Sequence, residues 1–285
     1  MSYDLYFTTP QISREDFRAY FQKRPGYELH GNQAIYQSKD TGVYFSFEYA
    51  EPKPDDREGI KHVAMFNINY YRPHYFILEA EPEVSKLVKH FGFGVHDPQM
   101  HGMGDGPYTA QGLLSGWNHG NEVGYEAVLA QPKAPASVHS RSGEELEKIW
   151  RWNFGRKEYL QELGKDIFIP RIMFAVVGGE LSSLCVWPDA ISTLIPKVDR
   201  LWIPREQLAP KPDSCLIKFS EALPLLQPYK VSKYALEAYE LPSPATPAAI
   251  QSFVSGLKPI VGKPTGVSMD QVMDRELVEK YRKQP

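Results

Sequence analysis

His90, His96, Asp97, His101, Asp105 and His119 place four imidazoles and two carboxylates between positions 90 and 119. Imidazole and carboxylate are ligand types for divalent metals. The stretch from His96 to Asp105 is also Gly-rich, and functional side chains often sit on such loops. His96, Asp97 and His101 would be the ligands if this run served a metal-dependent hydrolase. Their spacing matches no defined metal motif, however, and His and Asp are also turn formers and loop hydrogen-bonders. The leading expectation is therefore a structural or binding loop, with no metal and no cofactor. Other catalytic signatures are missing from the sequence: GxxxxGK[ST], HExxH, GxSxG and CxxC do not occur. Gly92-Phe93-Gly94 fails the dinucleotide fingerprint, because Asp97 stands where the third glycine belongs. Cys185 and Cys215 lie in apolar surroundings and read as buried free thiols in a reducing compartment.

A second group of residues suits recognition rather than bond-making. Tyr70, Tyr71, Tyr75 and Phe76 flank Arg72-Pro73-His74, and Tyr36, Tyr44 and Tyr49 accompany a hairpin. Tyr and Arg are typical interface anchors. Acidic runs lie beside them: Glu48, Glu51, Asp55, Asp56 and Glu58, then Glu79, Glu81 and Glu83. The residues expected to touch a partner are Tyr44, Glu48, Asp55, Asp56, Tyr71, Arg72 and His74. Net charge is −3 over 285 residues, which does not suit a chain that itself grips nucleic acid. The halves differ. Residues 1–140 carry 17 acidic and 12 basic side chains, net −5; residues 141–285 carry 18 and 20, net +2. An acidic first half could meet a basic partner, since complementary potentials speed encounter.

The elements that must position these residues follow from patterning. The length suits about two domains at roughly 150 residues each. An apolar content of 42% excludes a disordered chain. No apolar run approaches the ~20 residues of a membrane span, and the N-terminus lacks the basic and apolar regions of a secretory signal. Tyr3–Thr8 alternates as a strand. Ser13 is placed to cap a helix carrying Phe17, Tyr20 and Phe21. Ala34–Gln37 and Val43–Tyr49 form a hairpin, and Val63–Tyr71 another strand. A short strand is expected at Phe76–Leu78, then a helix beginning near Pro82. Gly112, Gly116, Gly120 and Gly124 recur every fourth residue. On a helix they would make one side Cβ-free, at about 1 kcal/mol each, so close approach of another helix or of the sheet is expected. The Pro/Ser/Ala-rich residues 131–143 mark a boundary. A helix follows over Gly143–Gly164, with Leu146, Ile149, Trp150 and Asn153 inward. Strand-like runs come next at 166–177, 181–187, 192–203 and 214–219. Ser268 and Gln271 would cap the last helix. The expected fold is α+β in two subdomains, 1–135 and 136–285, each a mainly antiparallel sheet with helices packed on it.

Several segments together carry a resemblance spanning nearly the whole chain: Met1-Ser2-Tyr3-Asp4-Leu5-Tyr6-Phe7, Asp40-Thr41-Gly42-Val43-Tyr44-Phe45-Ser46-Phe47-Glu48, Gly116-Trp117-Asn118-His119-Gly120-Asn121-Glu122, Trp187-Pro188-Asp189-Ala190 and Leu201-Trp202-Ile203-Pro204-Arg205. The sequence resembles a group of uncharacterised proteobacterial cytoplasmic proteins, some of which resemble immunity proteins encoded beside polymorphic or type VI secretion toxins, nuclease toxins among them. The resemblance implies an antitoxin that works in the cytoplasm by protein–protein interaction, occluding the active site of a cognate toxin. It supplies no catalytic residue to carry over; that there is no membrane partner and no direct nucleic-acid contact is expected from the hydropathy and the charge. The rival expectations are the metal-dependent hydrolase and a small-molecule-binding or scaffold protein with a pocket between the halves.

Overall fold

The structure is a computed structural model that describes residues 1–50, 62–99, 101–135, 137–164, 166–243 and 245–282. The fold is α+β, and the chain divides into two compact units. Met1–Gly143 and the C-terminal segment from Asp270 form the first; Glu144–Met269 form the second.

In the first unit, β1 (Ser2–Phe7) precedes α1 (Arg14–Gln22), whose N-cap Ser13 hydroxyl accepts from the Asp16 amide at 3.0 Å. β2 (Tyr27–His30), β3 (Gln33–Gln37), β4 (Tyr44–Tyr49) and β5 (Ala64–Asn69) follow. Next come α2 (Tyr75–Phe91), β6 (Gly94–Asp97), β7 (Gly104–Pro107), α3 (Ala110–Leu129) and the short β8 (Ser140–Arg141). The seven-stranded sheet runs β2-β3-β4-β5-β1-β6-β7, antiparallel throughout. Strict alternation buries Tyr3, Leu5, Phe7, Phe45, Phe47, Phe66 and Ile68 on one face. All three helices pack there. Phe21 of α1 lies 5.2 Å from Phe47, Glu79 of α2 accepts from Tyr36 at 2.8 Å, and α3 passes beside Tyr3.

The expected strand at Phe76–Leu78 is instead the first turn of α2. Tyr75, Phe76, Ile77, Ala80, Val84 and Leu87 are buried at helical spacing, a pattern that a short apolar run alone cannot distinguish from a strand. Pro82 therefore lies inside the helix rather than at its start, on an exposed position. The glycine stripe of α3 is a close-approach surface. A Cβ at Gly116 would stand 3.1 Å from the Tyr3 ring, one at Gly120 2.2 Å from the Tyr70 ring, and one at Gly124 3.2 Å from the Tyr71 amide nitrogen.

The second unit begins in α4 (Gly143–Leu163). β9 (Ile172–Val177), β10 (Glu180–Val186), β11 (Leu194–Pro196), β12 (Arg200–Arg205) and β13 (Asp213–Lys218) follow. Then come α5 (Phe219–Leu226), β14 (Lys230–Val231), β15 (Ala238–Glu240), α6 (Ala248–Ser255) and β16 (Thr265–Val267). One sheet runs β13-β12-β10-β9-β16, with only the β10–β12 pair parallel among its pairings; β11-β15-β14 form a smaller sheet. The run 192–203 is thus two strands in two sheets. Asn153 of α4 grips β9 by accepting from the Ile172 amide at 2.8 Å and donating to its carbonyl at 2.9 Å. Cys185 and Cys215 are free and buried, and burial pushes both thiols up.

The chain then returns to the first unit. β17 (Met273–Asp274) pairs in parallel with β8, and α7 (Arg275–Tyr281) follows it. Residues from 270 onward therefore do not belong with 144–269, contrary to the 136–285 subdomain read from the sequence. The physical reason is a hydrophobic cluster of Tyr125, Leu129, Met273 and Val278, which the returning segment completes. The last helix starts after Asp274, and Met269–Gln271 is only a turn of 3-10 helix.

Candidate functional site

The first-unit sheet has a second face, whose residues are half-buried on the central strands β1, β4 and β5 and exposed at Gln33 and Asp105 toward its edges. An antiparallel sheet can keep one such face toward solvent when its helices all pack on the other. Register sets the composition of this face. One cross-strand row reads Gln33, Glu48, Met65, Tyr6, His96 and Asp105, crossing β3, β4, β5, β1, β6 and β7. The next row reads Ile35, Ser46, Asn67 and Asp4.

Neighbours hold these side chains. Gln33 donates to Glu48 at 2.8 Å, and the Asn67 amide donates to Asp4 at 2.5 Å. Tyr6 packs between His62, at 4.8 Å, and His96, at 5.9 Å between ring centroids. His96 Nδ1 pairs with the Asp105 carboxylate across β6 and β7. At one end, Arg72 closes the face. Its Nε donates to the Tyr44 hydroxyl at 2.9 Å, its Nη2 donates to the same oxygen, and its guanidinium lies 5.5 Å from the Tyr44 ring. The result is a fixed surface of carboxylates, amides and two tyrosines, with little rotamer freedom left to lose on contact.

The residues expected to touch a partner divide into three groups. Tyr44, Glu48 and Arg72 are brought together on or beside this face. Tyr71 and His74 are not, because they hold the returning C-terminal segment. Tyr71, at a φ of 56°, packs 5.0 Å from the Tyr125 ring. His74 meets Asp274 twice: its amide donates to Oδ2 at 2.9 Å, and Nδ1 pairs with Oδ1 at 2.6 Å. Asn121 fixes the loop between them, accepting from the Arg72 amide at 3.1 Å and donating to its carbonyl at 2.9 Å. Asp55 and Asp56 lie outside the described residues. Asp4, Tyr6 and Asn67 also lie on this face and are not named as site residues by the sequence reading, although the alternation of β1 and β5 separates them from the core; His96 is named there only as a metal ligand.

The alternative metal residues His96, Asp97 and His101 do not converge. His96 and Asp97 are consecutive on β6, so they point to opposite faces. Asp97 is buried, accepting from the Tyr3 hydroxyl, the Met103 amide at 2.9 Å and the Gln99 amide at 3.1 Å. It is the anchor of the loop, and desolvation together with this carboxylate pushes the Tyr3 hydroxyl far up. His101 packs against His119 at 3.8 Å between ring centroids. Among the described residues no group of three or more His, Cys, Asp or Glu is arranged to hold a metal ion, and no helix is long and apolar enough to cross a membrane.

Comparison with protein-family models, with curated proteins and with solved structures finds no match.

Proposed function

We propose that this protein is an immunity protein that binds a cognate secreted toxin and covers its active site, performing no chemistry of its own. The observation that carries the reading is the outward face of the seven-stranded sheet, where half-buried Asp4 and Glu48 and exposed Asp105 lie among Tyr6, Tyr44 and Asn67. Such a face suits a basic protein surface, in keeping with the net −5 of residues 1–140. The aromatic rings would supply the desolvated centre of the interface and the carboxylates its rim. A nuclease toxin fits this chemistry, because an enzyme that holds nucleic acid presents a basic surface at its active site.

Co-expression with the toxin encoded by the adjacent gene tests the reading. The parent chain should protect cells and co-purify with the toxin. Tyr6→Ala combined with Glu48→Arg should abolish both while leaving the circular dichroism spectrum unchanged. The association rate should fall as salt is raised. Failure of the parent to protect and to co-purify, or full protection by the double variant, refutes the proposal.

A further inference from the structure

The second unit carries a cleft of about 460 Å³ that the docking reading does not use. Its floor is the face of β12 that presents Trp202 and Pro204, and its walls come from Pro212, Pro259, Ile260 and Pro264. Its volume lies in the range of small-molecule sites, which are mostly apolar with a few fixed polar groups.

The cleft is held rigidly. Arg205 is only 3% exposed and is spent internally: Nε and Nη2 donate to Asp213 at 2.8 and 2.7 Å, and Nη1 donates to the Val254 carbonyl at 2.7 Å. Asp189 pins the adjoining loop with a single carboxylate oxygen, which accepts from the amides of Glu206, Gln207 and Leu208 at 2.8, 2.9 and 3.2 Å. Asp189 and the next residue, Ala190, stand at φ of 45° and 51°. That left-handed backbone is strained for a side chain, and such strain clusters at ligand clamps.

An indole and two further charged side chains line the cleft. The Trp202 indole N–H is buried with no acceptor among the described residues, so what this side chain offers the cleft is its ring rather than a donor. Glu206 and Lys263 line the cleft with no ion-pair partner among the described residues. One unpaired anion, one unpaired cation, a flat indole and proline walls complement a molecule with an ammonium, a carboxylate and a flat apolar body. We propose that this cleft binds a small aromatic zwitterion, an aromatic α-amino acid in free form, with Lys263 facing its carboxylate and Glu206 its ammonium. This second activity stands independently of toxin binding.

Titration of the full chain with L-phenylalanine tests it, read by the 15N-indole resonance that Trp202→Phe assigns. L-phenylalanine should shift that resonance saturably. 3-Phenylpropionate, lacking the ammonium, and phenethylamine, lacking the carboxylate, should each bind about tenfold more weakly or worse, the factor that corresponds to about 1.4 kcal/mol. Lys263→Met should weaken L-phenylalanine by a similar factor and leave phenethylamine unaffected, and Glu206→Gln should spare 3-phenylpropionate in the same way. Both positions are exposed, so neither variant endangers folding. No saturable shift up to the solubility limit of L-phenylalanine, or a shift that neither variant alters, overturns the proposal.

Discussion

Two buried asparagines do the same work in different units. Asn121 grips the amide and carbonyl of Arg72, and Asn153 grips those of Ile172. Each closes a gap that regular structure leaves open, since a buried backbone polar group without a partner is costly. Glycines make the complementary contribution by leaving room. Gly120→Ala raises helix propensity by about 1 kcal/mol, yet its Cβ would meet the Tyr70 ring at 2.2 Å. The substitution should lower stability by about 1–3 kcal/mol, and in a Tyr70→Ala background it should turn stabilising. Urea midpoints of the four variants of this cycle decide it, and a Gly120→Ala effect equal in both backgrounds refutes the packing account. Charge gives a third residue-level case. Lys230, donating at 2.5 Å, and the Tyr239 hydroxyl hold the Glu237 carboxyl down at about 2, against an ordinary 4.5. The ionised form therefore stabilises the fold above the ordinary value, and that contribution is lost as pH falls from 4.5 toward 2. Glu237→Gln should be less stable than the parent at neutral pH and equal to it near pH 2, which melting curves across that range would show.

At the scale of elements, Asp274 is a polar anchor of the returning strand β17 and helix α7, beside the hydrophobic cluster of Met273 and Val278. This 4% exposed residue accepts from the His74 amide, pairs with the His74 ring and lies 3.3 Å from the Tyr125 hydroxyl. At the far end of α7, Lys280 and Tyr281 both reach Glu122 of α3, and these two partners lower the Glu122 pKa. The Glu122 ion pair is solvent-facing and contributes little, whereas Asp274 is not replaceable by water. Asp274→Ala should cost at least about 2 kcal/mol, because it orphans buried donors, and Asp274→Asn should recover much of that by keeping an acceptor for the His74 amide. Chemical denaturation monitored by amide exchange on α3 checks both, and equal losses in the two variants would deny Asp274 this role.

At the scale of the whole molecule, one unit is continuous in sequence and the other is not. Residues 144–269 hold their own core, including Trp152, Phe174, Trp187, Leu201 and Ile217. A fragment of those residues should fold alone, with dispersed amide resonances. Residues 1–143 lack Met273 and Val278 of the cluster around Tyr125, so they should remain poorly packed until a 270–282 peptide is added, and then gain near-ultraviolet dichroism. Native-like spectra of 1–143 without the peptide contradict this.

Residue order by itself determined what repeats at short range. Alternation in β1 and β4 separated core from outward residues, Ser13 announced α1, and the four-residue glycine period announced a helix pressed against something. These signals are local because side-chain direction follows from the backbone period alone. Only the tertiary structure decided the rest. It showed that Phe76–Leu78 is helix, because burial from both sides erases the difference between the two periods. It showed that His74 serves a segment 200 positions away, that Tyr71 packs on the cluster which that segment completes, and that Tyr6, Glu48, His96 and Asp105 share one row across the sheet. Strand order and chain return are set by which apolar surfaces find each other, and no local pattern encodes that pairing.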